Sequence, residues 1–417
     1  MPRSAPPPPC SAQPDGERDL PFTLLRVATL ALDYAKAFTL PLLVYEQSSG
    51  STLAVGIAYF VEFLPRALLS PIFGSIVDRS KGKWLVYLVE ILRVVLMLAW
   101  AVLGRTQYGW TLSSAVSLCS GMTLVYYEAS AARRLEPGTL QGFQIRSQLL
   151  EPLARLVGPG AAALAVAHLS PLSPLAAIDG LALGYALVLA ASFAWRGATS
   201  ILAAAILDRW TPAEEWRRFA TLAANARLLT LTLAAGLLNV LFGVFQSLIA
   251  PVMIGHYRMP LAYSALPSFV GGTISFALCI LVPRLAGRRP PADFGTLGTA
   301  SLAAAAALCA LDVGPWAFCV AFGLLIVGSA LYGIFFRHMR YELIPASQIA
   351  QGIGATTSVT TAFLPVAGLV TASTVAFSPV LVIGALGLAV AAALFLSIRH
   401  VCRANPPRTA PLTPSDS

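Results

Sequence analysis

The chain has 417 residues, 57% hydrophobic and 11% charged, with a formal net charge of +9 and a mean hydropathy of +0.74. Soluble domains average roughly 25% charged residues, and a soluble chain of this length needs far more polar surface to cover its core, so the composition excludes an ordinary soluble domain. The positive charge is spread over many short gaps between apolar runs, a pattern that gives no nucleic-acid partner.

Residues 1–21 are rich in proline and mixed charge, with Pro6 to Pro9 consecutive, and read as a disordered tail rather than a cleavable signal peptide. Apolar runs long enough to cross a bilayer then follow at 22–45, 52–77, 84–104, 110–130, 149–169, 174–195, 228–254, 261–283, 295–313, 315–336, 349–371 and 375–398. At about 20 residues per span, twelve spans use about 240 residues, or ~58% of the chain, which is close to its apolar fraction. Runs of this length in lipid are expected to be helices, because the backbone must satisfy its own hydrogen bonds there.

Lys and Arg orient the set. Of the 28, 21 fall in the tails and in the gaps after even-numbered spans, two (Arg105 and Arg258) in gaps after odd-numbered spans, and five within spans. An even span count with this asymmetry places both termini in the cytoplasm, with a cell (inner) membrane location expected. The long gap 196–227 joins two sets of six spans. Its Thr211-Pro-Ala-Glu214 start resembles a capping box, and Trp216, Phe219 and Leu222 recur every three residues. Either a short amphipathic helix on the membrane surface or a linker helix extending span 7 fits. Residues 399–417 form a second cytoplasmic tail.

Landmarks recur between the two sets at nearly one offset. Arg79-Ser-Lys-Gly82-Lys83 matches Arg284-Leu-Ala-Gly287-Arg288 at 205 residues, Pro65 matches Pro267 at 202, Asp33 matches Asn239 at 206, Pro137 matches Pro345 at 208 and Pro159 matches Pro365 at 206. Five matches in one order point to two related halves, 22–195 and 228–398, an arrangement found in secondary transporters. The expected fold class is an all-α integral membrane protein with twelve transmembrane helices in two pseudo-symmetric halves.

Charges deep within spans are costly in lipid and commonly face a cavity or a partner. Asp33 and Lys36 lie mid-span 1, and Glu62 and Arg66 mid-span 2, at spacings that put each pair on one helical face. Two readings stand. One makes Asp33 or Glu62 a proton-coupling carboxylate, with Lys36 and Arg66 tuning it or meeting an anionic substrate. The other makes them two self-neutralising structural pairs. Glu90 with Arg93, and Glu151 with Arg155, repeat the spacing nearer the cytoplasmic ends, where snorkelling or gate salt bridges are expected. Asn239 and Gln246 in span 7, seven residues apart, are candidates to line a cavity opposite span 1 or to join helices.

Six cysteines lie in the tails or inside apolar runs without a CxxC pair, and the four histidines lie at or near segment ends, so neither a disulfide framework nor a metal site is expected. No phosphate-binding loop and no hydrolase triad pattern occurs, so no cofactor and no enzymatic activity are expected.

Gly74-Ser-Ile-Val-Asp78-Arg79, followed by Gly82 and Lys83, resembles the span 2–3 signature of the major facilitator superfamily, Gly-x-x-x-Asp-Arg-x-Gly-basic-basic. Two residues, Ser80 and Lys81, stand where the common form has one, and the second half has Pro283-Arg284 in place of Asp-Arg. Leu42-Leu-Val-Tyr45-Glu46, Leu64-Pro65, Ser70-Pro71 and Gly158-Pro159-Gly160 resemble the branch of macrolide-efflux and enterobactin-export proteins. The resemblance implies a gate in which Asp78 meets the positive N-terminus of a helix from the other half while Gly74 allows close approach. On the residues alone, Arg79, Lys81 and Lys83 could equally serve only to fix topology. It also implies, through the bending Gly158-Pro159-Gly160 motif, an exporter. The expected partners are a small-molecule substrate, protons and the lipid bilayer, for a protein expected to be a monomer. The leading expectation is proton-coupled export of a drug, macrolide or siderophore by alternating access. An uptake carrier of the same fold and a non-transporting sensor or scaffold are the alternatives.

Overall fold

The computed structural model describes residues 20–79, 84–103, 109–134, 153–154, 156–162, 183–184, 186–187, 224–286, 290–344 and 349–403. Among these residues the fold is all helical. Eleven α-helices are present: α1 (Leu20–Gln47), α2 (Thr52–Arg79), α3 (Trp84–Leu103), α4 (Gly109–Arg134), α5 (Ala226–Ala250), α6 (Leu266–Ala286), α7 (Pro291–Leu311), α8 (Pro315–Leu343), α9 (Ile349–Ala362), α10 (Leu364–Ser373) and α11 (Pro379–Arg403). Residues 156–162 are also helical. Among the described residues, seven helices are long and apolar enough to cross a membrane by length and composition. Most of the predicted spans 149–169 and 174–195, the linker 196–223 and most of both tails lie outside the described residues.

Two predicted spans depart from simple helices. Span 7 is α5 continued by a π-helical turn, Pro251–His256, where Pro251 supplies no N–H to the α-helical ladder. Span 11 is two helices, α9 and α10, separated at Phe363, with Pro365 in the first turn of the second.

Helix α3 shows what the fold is solvated by. Glu90 and Arg93 on its inner face are both 0% exposed, whereas Leu88 and Val95 on its outer face are 54% and 57% exposed, with Ile91 and Leu92 beside them. Water would favour the reverse arrangement. A lipid surround makes this one favourable, because hydrocarbon solvates Leu, Ile and Val and leaves ions to pair inside.

Two large apolar cores and two small clusters result among the described residues. One large core gathers Leu32, Val55, Phe73, Trp100 and Tyr126 from α1–α4, and the other gathers Leu241, Phe245, Phe318, Phe322 and Leu394 from α5, α8 and α11. Tyr59 of α2 belongs to the second core and so reaches across between the groups.

The groups also meet where α2 packs on α10. A Cβ on Gly56 would lie 2.6 Å from the Gly368 carbonyl and against the Ala372 backbone, and one on Gly368 would lie 2.6 Å from the Gly56 carbonyl and 2.8 Å from Phe60 Cα. The two backbones are in direct contact at this level, which requires glycine on both sides. The contact lies toward the end of the bundle that carries the Ser48–Ser51 turn. At that same end His256 Nε2 lies 2.9 Å from Asp312 Oδ2, and the Tyr257 hydroxyl donates to Asp312 Oδ1 at 2.7 Å. Burial and this bond to a carboxylate push the Tyr257 hydroxyl above its usual value.

Gly56→Val or Gly368→Val should therefore destabilise the fold by about 1–3 kcal/mol, the usual penalty for overpacking. Gly160→Ala, whose Cβ meets nothing within 4 Å, should be neutral or slightly stabilising. Thermal unfolding in detergent checks both, and equal midpoints for all three variants would contradict the packing described.

Candidate functional site

A cavity of about 400 Å³ lies between the two groups of helices. All six candidate pathway residues line it: Asp33 and Lys36 from α1, Glu62 and Arg66 from α2, and Asn239 and Gln246 from α5. Residues 29–37 of α1, 326–340 of α8 and 357–361 of α9 carry its walls toward the end opposite the Ser48–Ser51 turn. The Gly56–Gly368 contact sits just beyond it on the turn side.

The ionic pairing in its wall differs from the intrahelical pairs that the spacing suggests. Lys36 pairs with Glu62 across α1 and α2, and its ammonium also donates to the Ser113 carbonyl of α4 at 3.1 Å and to Ser113 Oγ at 3.3 Å. Asp33 pairs with Arg93 of α3 at 2.6 Å and accepts from Ser120 of α4 at 2.6 Å. Arg93 also donates to the Thr29 carbonyl at 2.7 Å and lies 3.4 Å from Glu90 Oε2, while Thr29 Oγ1 donates to Glu90 Oε1 at 3.3 Å. Neither Asp33–Lys36 nor Glu62–Arg66 is an ion pair. Pairing across helices places each buried charge among further hydrogen-bond partners, Ser113 for Lys36 and Ser120 for Asp33. Glu90 and Arg93 do contact each other, yet both are buried against α1, so this pair neither snorkels nor sits at a gate edge.

Arg66 is the charge left over. Its Nε is buried with no hydrogen-bond partner, and no ion pair holds it among the described residues. Its stem crosses α4 at Gly121, where a Cβ would lie 2.9 Å from both Cγ and Nε.

Across the cavity, Arg337 and Arg340 of α8 contribute two further cations. Arg340 is buried, donates to Thr356 Oγ1 at 3.3 Å, and has its guanidinium carbon 5.3 Å from the centre of the Phe336 ring. Asn239 lines the cavity and also donates to the Thr360 carbonyl of α9 at 2.9 Å, so it joins helices while facing the space. Two of these participants were not singled out from the sequence: Arg337 and Arg340 were counted as topology signals, while Arg93 was paired with Glu90 by spacing and its contact with Asp33 was not foreseen. The available signal for Arg337 and Arg340 was their position one helical turn apart at the end of a long apolar run.

The remaining candidates divide. Gly158 is in close contact with α1, since a Cβ there would lie against the Ala31 carbonyl and 2.9 Å from Ala35 N. Pro159 is buried beside it and Gly160 faces open space. Gly74, Asp78 and Arg79 fall in the last turns of α2, while Gly82 and Lys83 lie outside the described residues. The described residues contain no cluster of three or more His, Cys, Asp or Glu suited to a metal ion.

No family model matches this chain, and no curated protein matches it. Solved structures do match. Peptide transporter POT in complex with sulfate is 15% identical, with a TM-score of 0.66 over 92% of this chain and 95% of its own. A bacterial homologue of the iron transporter ferroportin, in an outward-facing state with soaked iron, is 15% identical, with a TM-score of 0.62 over 92% and 98%. A mutant of the nucleoside transporter NupG is 14% identical, with a TM-score of 0.65 over 92% and 99%. At these identities the likeness shows the fold. The chain is an integral membrane protein with the major-facilitator-type helical fold that these three share.

The cross-helix pairing predicts how double variants behave. Lys36→Met should strand the Glu62 carboxylate and destabilise the protein by about 3–5 kcal/mol, with most of the loss recovered in Lys36→Met/Glu62→Gln. Asp33→Asn should couple to Arg93→Met and not to Lys36→Met. Thermal unfolding of the set in detergent measures this, and coupling of Asp33 to Lys36 would contradict the pairing.

Proposed function

We propose that the protein is a secondary active transporter that exports a small amphiphilic compound in exchange for protons, with the cavity as its substrate site. The observation that carries this reading is a cavity with ionised walls, built jointly by helices from both sequence halves, within a transporter-type fold. Charge at that depth is expensive, and a purely structural bundle has no need to hollow out the region where its charges meet. Alternating access by rocking of the two halves gives such a cavity its use.

The pairing nominates Glu62 over Asp33 as the coupling acid. Asp33 is held by an arginine, which stays charged, and by a hydroxyl. Glu62 is held by a lysine, which can give up its proton. A Lys–Glu pair can therefore pass through a neutral state in the low-dielectric interior, whereas an Asp–Arg pair stays ionic. A proton taken up by Glu62 from the outer side frees Lys36, loosens α1 from α2, and is released when the carboxylate is exposed to the inner side. One proton moving inward releases about 2.3 kcal/mol per 100 mV, enough for roughly 40-fold accumulation. On the side of the Gly74–Lys83 segment, Asp78 is assigned the role of a latch, and both termini are assigned to the cytoplasm.

Everted vesicles test the reading. Wild type should release lumenal protons when substrate is added. Glu62→Gln should lose uphill transport by about 100-fold or more, in keeping with loss of an essential proton carrier, while keeping downhill counterflow. Asp33→Asn should keep uphill transport to the extent that it folds. Proton movement of opposite polarity would establish uptake, and silence in wild type across a substrate panel would favour a sensor or scaffold.

A further inference from the structure

The cavity's hydrogen-bonding groups are unevenly used. Its two carboxylates already have cationic partners, Lys36 for Glu62 and Arg93 for Asp33. Its donors are in surplus. Arg66 Nε, Ser117 Oγ and Ser275 Oγ belong to residues that line the space, all three atoms are buried, and none has a hydrogen-bond partner. They come from α2, α4 and α6, so donors approach the space from both groups of helices. Arg66 adds a cation that no ion pair holds among the described residues. Buried donors without acceptors and a cation without an ion-pair contact are both costly in a low-dielectric wall. One ligand type removes both costs: a group that carries negative charge and accepts several hydrogen bonds. Around these donors, Phe63, Phe242 and Phe336 supply apolar surface.

We infer that the occupant of this cavity is an amphiphilic organic anion, its acidic group held by Arg66 with Ser117 and Ser275, and its apolar body laid against the phenylalanines. This names the charge class of the substrate and rests on the transport reading only for what becomes of the ligand after binding. Arg66 is a binding residue here and not one of the paired charges that hold the helices. Gly121 supports the role, because any larger residue on α4 would displace the Arg66 stem. Export of an anion from a negative interior is also assisted by the membrane potential, which adds to the proton gradient.

The test uses the full chain in nanodiscs of phosphatidylcholine, with three probes of one shape: 2-naphthoate, 2-naphthamide and 2-naphthylmethylamine. Naphthoate should raise the unfolding midpoint in a saturable manner, and the amide and amine should not. Arg66→Met should weaken naphthoate binding by about tenfold or more and Arg66→Lys by less, because a cation without the planar fork keeps charge but loses bidentate geometry. Ser117→Ala and Ser275→Ala should each weaken it by about tenfold or more, the range for a lost hydrogen bond to a charged group. Repeating the titration with phosphatidylglycerol added separates a free solute from a lipid headgroup, since competition would assign the anion site to the headgroup. The inference is overturned if naphthoate fails to bind, if the amide or amine binds as well, or if Arg66→Met binds naphthoate like wild type. Flux of the same probes in proteoliposomes is scored separately. Carriage of amide and anion alike would retain the transport reading and remove this one. Anion-selective, Arg66-dependent binding without flux would do the reverse.

Discussion

Ionised side chains in a medium that cannot solvate them set the terms for this structure. Lys36, Glu62, Glu90 and Arg93 are all buried within a bundle whose outer surface is leucine, isoleucine and valine. Each is tolerable only while a partner of opposite sign and further hydrogen bonds surround it. The partners come from different helices: α1 with α2 and α4 through Lys36, and α1 with α3 and α4 through Asp33. The network therefore does more than neutralise charge. It sets the rotation of four helices about their own axes, a property that apolar packing in lipid specifies weakly, because the lipid is as apolar as the helix surface.

The second group of helices is built differently. Its core is mainly aliphatic and aromatic, with Phe245 stacked on Phe318 at 5.6 Å and tilted against Phe322 at 5.9 Å. Its polar contacts at the cavity include hydrogen bonds from Asn239 to the Thr360 carbonyl and from Arg340 to Thr356. The cavity thus lies between a wall stiffened by ion pairs and a wall held by packing. At the turn end the helices touch backbone to backbone through Gly56 and Gly368, which gives a tight seam on which two such walls can tilt.

Much of the fold was legible because span length and proline position are local signals. The ends of α2 and α3 lie close to the apolar runs that mark them, and α8 begins where its run begins but continues to Leu343. The six pathway residues were legible for a related reason: an ionisable or amide side chain in mid-span is rare enough to stand out wherever it points. Their partners were not. Spacing within one helix suggested Asp33 with Lys36 and Glu62 with Arg66, whereas the pairs that form cross between helices separated by 26 and 60 residues in sequence. Nothing local to α1 or α2 says which face of α3 or α4 will lie opposite. Arg340 escaped notice for another reason: near a span end, an arginine that serves topology and one that turns into a cavity have the same sequence signature. The break at Phe363 and the π-turn at Pro251 were marked only by prolines, whose consequence depends on what the freed backbone meets.

The central claim is that one water-reachable cavity lies between the two helix groups, while the charged helix α3 turns only apolar side chains outward. Thiol labelling tests this most directly. In a chain with its natural cysteines replaced, single cysteines at Ala37 and Ser329 sample the cavity wall from each group, and single cysteines at Leu88 and Val95 sample the outer face of α3. In membrane vesicles, a small water-soluble, membrane-impermeant maleimide should label both cavity positions and neither position on α3. Labelling at Leu88 and Val95 with silence at Ala37 and Ser329 would contradict the account.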